Sequence, residues 1–534
     1  MNKTIASLLL AANVWPCLAT DFLSSYFSRK TDRMQVQVHD VEGLDKHIAD
    51  GKLRLRIHDF LELVLKNSAD IQLTRMDVYS AANRITAAKA PFDPFFAPGY
   101  STQRTLTAPS PFFLSQGAAS NLDQQSTINY SQLLPSGQTI GSTFTLARIS
   151  GAGYSSPELF GTLQFTVIQP LLRNRSNIEN RAPLTLASSQ LNVTSQLSEA
   201  AIGVSVAEAA RQYWQAILSR DSIYVQQQSL ELALKAYERD KKALDLGAIS
   251  KLDILQSETQ VAERNRDLIQ ARFQYTAALD GLRRLIGADV TPGLRSTELV
   301  LEDEASSVSA IGSVLPFEEA LAKALEARPE IKAATERISI DELNARVARE
   351  TFVPRLDLSL NGGSSGPAAA FGSTGIVYPG LTETLRQVLA FNYPSYGLGL
   401  TMTIPFRNSN GQANLADALV SKTRDAYQRR QAQEQVILDV RQAINSIDLA
   451  KATIDAAVRA RDLAQRNVEA ERQKYELGTI TSFEFLDSQT RLSGAESSLL
   501  NAYVGYQEAY VSYQRATWTL LDGLGIVVGT PKIR

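Results

Sequence analysis

The sequence predicts an α+β membrane protein: strands of a transmembrane β-barrel beside long helices packed in coiled-coil fashion, built from two tandem structural repeats. Three observations carry this. The 534 residues alternate between two textures, one charged and Ala/Leu/Gln-rich, the other charge-poor and rich in Ser, Thr, Gly and aromatics. The second texture alternates apolar and polar residues with the period of a strand. The landmarks of the first half recur in the second in the same order.

Residues 1–19 read as an export signal. Lys3 gives a positive start, and Ile5 to Ala12 give an apolar stretch too short to span a bilayer as a helix. Cys17-Leu18-Ala19 supplies small residues for cleavage after Ala19. Acylation of Cys17 is the alternative, and the bulky, rigid Trp15-Pro16 argues against it. Beyond the signal no apolar run reaches transmembrane-helix length. A membrane span must then be a closed barrel, the other structure that satisfies every backbone group in lipid.

The helical texture covers about 56–90, 183–286, 316–350 and 412–522. Val206, Ala210, Tyr213 and Ile217 recur at helical spacing, as do Ile437, Val440, Ile444 and Ile447, the stripe of helices packed in coiled-coil fashion. Only Gly203 interrupts 183–246. A helix of that length reaches roughly 95 Å at 1.5 Å per residue and needs partners along all of it. The strand texture covers about 95–170 and 355–406. From Tyr396 to Phe406 every even position is apolar and every odd one is Gly, Thr or Pro; between Arg104 and Arg148 the one charged residue is Asp123. The same alternation fits an ordinary half-buried sheet. The export signal and the missing charges favour lipid outside and water inside.

Leu65 to Ile71 matches Leu325 to Ile331, Leu246-Gly247-Ala248-Ile249 matches Leu477-Gly478-Thr479-Ile480, and Leu255 to Thr259 matches Leu486 to Thr490. The expected organisation is a signal peptide (1–19), a first repeat (20–287) with strands at 95–170 and a long helix pair at 183–286, and an equatorial linker (288–315). A second repeat (316–522) with strands at 355–406 and a helix pair at 412–522, and a tail (523–534), complete it. Pro94 and Pro354 stop helices, Pro183 suits a first helical turn, and Gly247 and Gly478 fall where a helix must reverse. The linker and tail are expected to band the middle of the helical barrel. A protomer with four to six strands cannot close a barrel alone, so oligomerisation is forced.

Composition narrows the function. Lys plus Arg is 54 and Asp plus Glu 56, a net charge of −2 that argues against nucleic acid as a partner. One cysteine and three N-terminal histidines (His39, His47, His58) leave little material for a metal site or a nucleophile–histidine pair. The expectation is no enzyme, no cofactor and no metal.

The chain resembles the TolC-like outer membrane efflux protein (outer membrane factor) family from about 50 to 525. The resemblance rests on the duplicated Leu-Gly-x-Ile turns and on the Tyr475-Glu476 approach. It rests also on Pro94 and Pro354, on Gln169-Pro170-Leu171-Leu172, and on Pro405-Phe406-Arg407-Asn408. It implies a homotrimer in the cell outer membrane, its β-barrel continuous with a long α-helical coiled-coil barrel that makes a large periplasmic portion. It implies the exit duct of a tripartite efflux pump or type I secretion system, a passive conduit gated at its periplasmic tip. Its implied partners are a periplasmic adaptor (membrane fusion protein), an inner membrane RND or ABC transporter, and outer membrane lipid. By the same resemblance Glu484 and Asp487 ring the aperture. Asp253 pairs with Tyr475 in a latch whose usual arginine is Ile480 here. Leu246, Gly247, Ala248, Leu477, Gly478 and Thr479 dock the adaptor. The competing reading is an exported or peripheral coiled-coil scaffold with a small β-domain. A periplasmic hydrolase comes third, for want of a nucleophile motif. Cargo, transporter class and strands per protomer stay open.

Overall fold

The computed structural model describes residues 41–521 apart from 108–118, 152–156, 176, 248, 291, 296, 307–313, 367–369, 373–374 and 378–379, and without the side chains of Thr107, Ala119, Asp253, Ala370–Gly372 and Gly375–Val377. The expected signal segment with Cys17, and the tail 523–534, lie outside the described residues.

The described chain opens on a two-residue hairpin. β1 (Ile48–Ala49) folds back on β2 (Lys52–Leu55) through Asp50-Gly51, both at positive φ, as an Asp-Gly turn favours. Next come α1 (Ile57–Asn67) and α2 (Ala69–Lys89), separated by the extended Ser68. Four strands follow: β3 (Phe95–Thr107), β4 (Ala119–Leu133), β5 (Thr139–Gly151) and β6 (Glu158–Pro170). The long hairpin of the first half is α3 (Ile178–Asp245) and α4 (Lys251–Ile286), and β7 (Glu298–Leu301) follows it. The second half runs α5 (Phe317–Ala327), α6 (Pro329–Glu350), β8 (Arg355–Gly366), β9 (Ala370–Gly372) and β10 (Gly375–Val377). It continues through α7 (Leu381–Leu389), β11 (Pro394–Thr403), α8 (Ser409–Glu476) and α9 (Ser482–Ala516). The lengths recur: α3 and α8 are each 68 residues, and α4 and α9 are 36 and 35.

Two helical stretches read from the sequence as continuous are broken. Residues 56–90 divide at Ser68 and 316–350 at Arg328, each break an extended residue. At Arg328 the cause is Pro329, which pushes the residue before it out of the helical region. The long helix also starts earlier than 183: α3 begins at Ile178, so Pro183 sits in its second turn, not its first.

Six strands form one antiparallel sheet in the order β11-β8-β6-β5-β4-β3. Among the described residues the first half gives this sheet four strands and the second two, a number the sequence left open. Register puts Leu398 opposite Leu360, Leu360 opposite Val167, Leu163 opposite Phe144 and Phe144 opposite Ile128, so one face is apolar across the sheet. The other face pairs Thr401 with Asp357, Thr166 with Asn361 and Gln164 with Thr143. Except at the end remote from the long helices, where α7 lies on it, the apolar face is bare in the protomer: Leu398 is 73% and Leu400 61% exposed. Among the described residues β3 and β11 are the free edges, and with an even number of strands they run in opposite directions.

The main core lies around the middle of α3. Val206, Tyr213 and Ile217 pack with Phe60, Leu282, Leu299 and Leu301. Gly203, the one glycine in α3, faces the Trp518 indole, and a Cβ there would stand 2.5 Å from the ring. The linker reaches this core as a strand, because β7 pairs in parallel with β2. Tyr213 donates to the Leu55 carbonyl (3.0 Å) and to Asp303 (2.7 Å), while Arg220 donates to the Leu301 and Asp303 carbonyls (2.7 and 2.9 Å). Burial pushes the Tyr213 phenol up, so it remains a donor. The described linker residues thus bind the middle of the long helix. A second core joins α5, α8 and α9 through Ala320, Val440, Ile447, Tyr506 and Tyr513. Among the described residues no helix is long and apolar enough to cross a membrane, and no group of metal-ligating side chains assembles.

Candidate gate and docking tip

The ends of α3 and α8 and the starts of α4 and α9 form the tip farthest from the sheet. Both turns are built alike. Gly247 and Gly478 sit at φ 73°, the left-handed conformation that ends a helix and that a side chain resists. The Gly247 amide donates to the Leu244 carbonyl at 2.9 Å, and Thr479 donates its amide to the Lys474 carbonyl at 3.0 Å. Leu246 and Leu477, just before the glycines, are 85% and 79% exposed. Exposed leucines thus stand at matching places on the two turns. Thr479 completes the second turn; Ala248 lies outside the described residues.

Behind the turns a single carboxylate gathers four helices. Asp240 of α3 is 1% exposed. It accepts from Tyr475 of α8, from Ser257 of α4, and from Ser482 of α9 at 2.7 Å. A buried carboxylate is stable only with such donors around it. Arg239 lies 4.1 Å over the Tyr475 ring and donates to the Tyr475 carbonyl at 3.2 Å, and Phe485 stacks on the same ring at 5.0 Å. The result is a lock between the two hairpins of one protomer, centred on Tyr475.

The family resemblance pairs Tyr475 with Asp253, whose side chain is outside the described part; the acceptor the structure describes is Asp240, on the other helix of the same hairpin. The physical reason is register. Val225, Ser229, Ala233 and Ala236 are the buried seam of α3, and Asp240 is the next residue on that seam. An acid on a buried seam was the available signal.

The two aperture candidates already have partners. Glu484 is the third helical residue of a capping box: it accepts from the Thr481 amide at 2.9 Å, and its own amide donates to the Thr481 hydroxyl at 3.3 Å. Asp487 is 2.9 Å from Arg491, one turn on along α9. Within one protomer, then, Glu484 serves the helix start and Asp487 carries a countercharge.

Burial, then donation to Asp240, pushes the Tyr475 phenol above its ordinary value of 10.0. A raised value means that the locked state resists deprotonation. The lock is intact below the ordinary value and is lost as pH climbs from there through the raised one. The Tyr475–Asp240 tie should therefore be constant from about pH 6 to about pH 9 and weaken above about 10, read as hydrogen-exchange protection factors at the two turns against pH. Protection that falls in the neutral range would assign the tie to other groups.

A sheet with one bare apolar face, two free opposed edges and a stalk of 68-residue helices is the fold of an outer membrane channel protomer. The chain belongs to the outer membrane efflux protein family, which it matches over residues 176–288 and 320–517. It resembles the toluene efflux pump outer membrane protein TtgC of Pseudomonas putida, at 24% identity over 64% of this chain and 65% of TtgC. It also resembles the outer membrane protein TolC of Escherichia coli, at 24% over 59% of this chain and 61% of TolC. These alignments span less than two thirds of the relatives' length. Among solved structures, CusC superposes with a TM-score of 0.64 at 16% identity, covering 90% of this chain and 96% of CusC. The Campylobacter jejuni CmeC outer membrane channel superposes at 0.62 and 14%, covering 91% of this chain and 93% of CmeC.

Proposed function

We propose that three copies of this chain form the outer membrane exit duct of a tripartite efflux pump or type I secretion system, two tandem repeats in each copy. It acts as a passive conduit closed at its periplasmic tip. The observation that carries this is the six-stranded sheet, greasy on one side, polar on the other and unpaired at both edges. Alone it would leave backbone groups bare in lipid; pairing β3 of one copy with β11 of the next removes every edge. Three copies of six strands make an eighteen-stranded wall, a size at which barrels enclose water. The polar face lines that lumen, so no catalytic residue is needed. The coiled-coil scaffold reading offers no reason for the bare apolar face.

The test is extraction and conductance. The purified chain should leave membranes only with detergent, migrate as a trimer and open ion-conducting pores in planar bilayers. Release by high salt alone, or a stable monomer without pores, would overturn the reading.

The exposed leucine turns fit a periplasmic adaptor, and an inner membrane RND or ABC transporter would supply the energy. Relatives point both ways: TtgC is named for a toluene efflux pump, and AprF of Pseudomonas aeruginosa for alkaline protease secretion. Gly478→Trp places a large side chain on a left-handed turn with open space around it. It should abolish copurification with the adaptor while trimers persist in the membrane. Intact export by this variant would remove the turn from docking.

A further inference from the structure

The loop between β8 and β11 holds α7, which lies on the sheet at the end remote from the long helices. α7 packs on β6 and β8 through Thr384 and Val388, both 0% exposed. Beneath them sit Gly161 and Gly366, direct partners across the β6–β8 ladder. A Cβ on Gly366 would stand 2.9 Å from the Thr384 carbonyl and 3.1 Å from Val388, and one on Gly161 3.1 Å from Val388. Two facing glycines thus make a seat into which the helix settles.

The seat fixes the side of the sheet. Gly161 shares a face with Leu163 and Phe165, and it pairs with Leu146. This is the apolar face, so α7 lies outside the wall and not in the lumen. Its exposed surface is divided. Leu381, Leu385 and Leu389 line one flank; Leu381 is 50% and Leu389 65% exposed. The opposite flank carries Glu383, Arg386 and Gln387. There Arg386 donates to both Glu383 oxygens (2.8 and 2.6 Å) and Gln387 donates to one (3.0 Å), so the charges cancel locally. Past the helix, exposed Phe391, Tyr393 and Tyr396 continue the surface down onto β11. Aromatics beside a short amphipathic helix are the composition of a membrane–water boundary.

We propose that α7 is an interfacial anchor that binds the outer leaflet of the bilayer, with its leucine flank among the upper acyl chains and the Glu383–Arg386 flank at the headgroups. Continuity with the apolar wall selects lipid as the occupant. A neighbouring copy is the other conceivable cover, but β11 stands between α7's strands and the next protomer.

The inference rests on the barrel reading, and the test separates the two. Leu389→Trp, Leu381→Trp and, as the wall reference, Leu398→Trp are purified as trimers and reconstituted into phospholipid vesicles. The lipids are brominated either near the headgroup or deep in the chain. Trp214 and Trp518 are buried in the mid-helix core and set the background, measured with the unsubstituted protein. The α7 tryptophans should emit at short wavelength and lose roughly half of their added emission to the shallow bromine, with less lost to the deep one. Leu398→Trp should show the reverse preference. Quenching of Leu398→Trp but of neither α7 variant would overturn the anchor and leave the barrel standing. No quenching at any position would overturn the barrel itself. The two α7 sites guard against one substitution disturbing the helix.

Discussion

Tyr475→Phe and Asp240→Asn should each open the channel, raising the conductance of reconstituted trimers in planar bilayers. The argument starts from the buried carboxylate. Asp240 accepts from three hydroxyls on three other helices, and Tyr475 is the link from the first hairpin to α8. A hydrogen bond to a charged group contributes about 1.5–3 kcal/mol. Removing the Tyr475 hydroxyl should then shift the closed-to-open ratio of each protomer by roughly ten- to a hundredfold. Asp240→Asn keeps the shape but replaces an acceptor oxygen with a donor facing hydroxyls, and it should open the tip at least as far. Arg472→Ala removes a surface ion pair with Glu476 near the same depth, and should change conductance by less than about twofold. If both lock variants conduct like the parent, the Asp240 cluster does not close the tip.

Leu400→Arg should nearly abolish trimers in the outer membrane, whereas Thr401→Arg, the next residue, should leave them within about twofold of the parent. The two side chains point to opposite faces of β11: Leu400 stands opposite Leu358 and Thr401 opposite Asp357. An arginine facing lipid near the bilayer midplane costs about 2–4 kcal/mol, and a threefold assembly carries it three times. An arginine facing the water-filled lumen stays solvated. Heat-modifiable trimer bands and outer membrane fractionation read the difference. Equal loss from both variants would mean that the sheet has no lipid side.

How far the sequence carries depends on period length. The 68-residue helices and the long strands repeat their pattern often enough to be read directly, and the outer membrane efflux fold followed. β1, β2 and β7 were not legible, because strands of two to four residues complete too few cycles. α7 was missed for a related reason: nine residues inside a strand-like stretch look like its continuation until Thr384 and Val388 are seen on one side. At the tip, positional matching pointed to Asp253, whose side chain lies outside the described residues, and passed over the buried seam that ends at Asp240. The capping pattern Thr481-Ser482-Phe483-Glu484 was also visible, and it gives Glu484 a duty within its own helix.

The parity of the sheet has a consequence for how such a duct can vary. Each copy must offer edges of opposite polarity, so it gains or loses strands only as whole hairpins, and threefold symmetry triples each change. Girth then moves in steps of six, with no intermediate calibre, while the helical shaft beneath need not change at all.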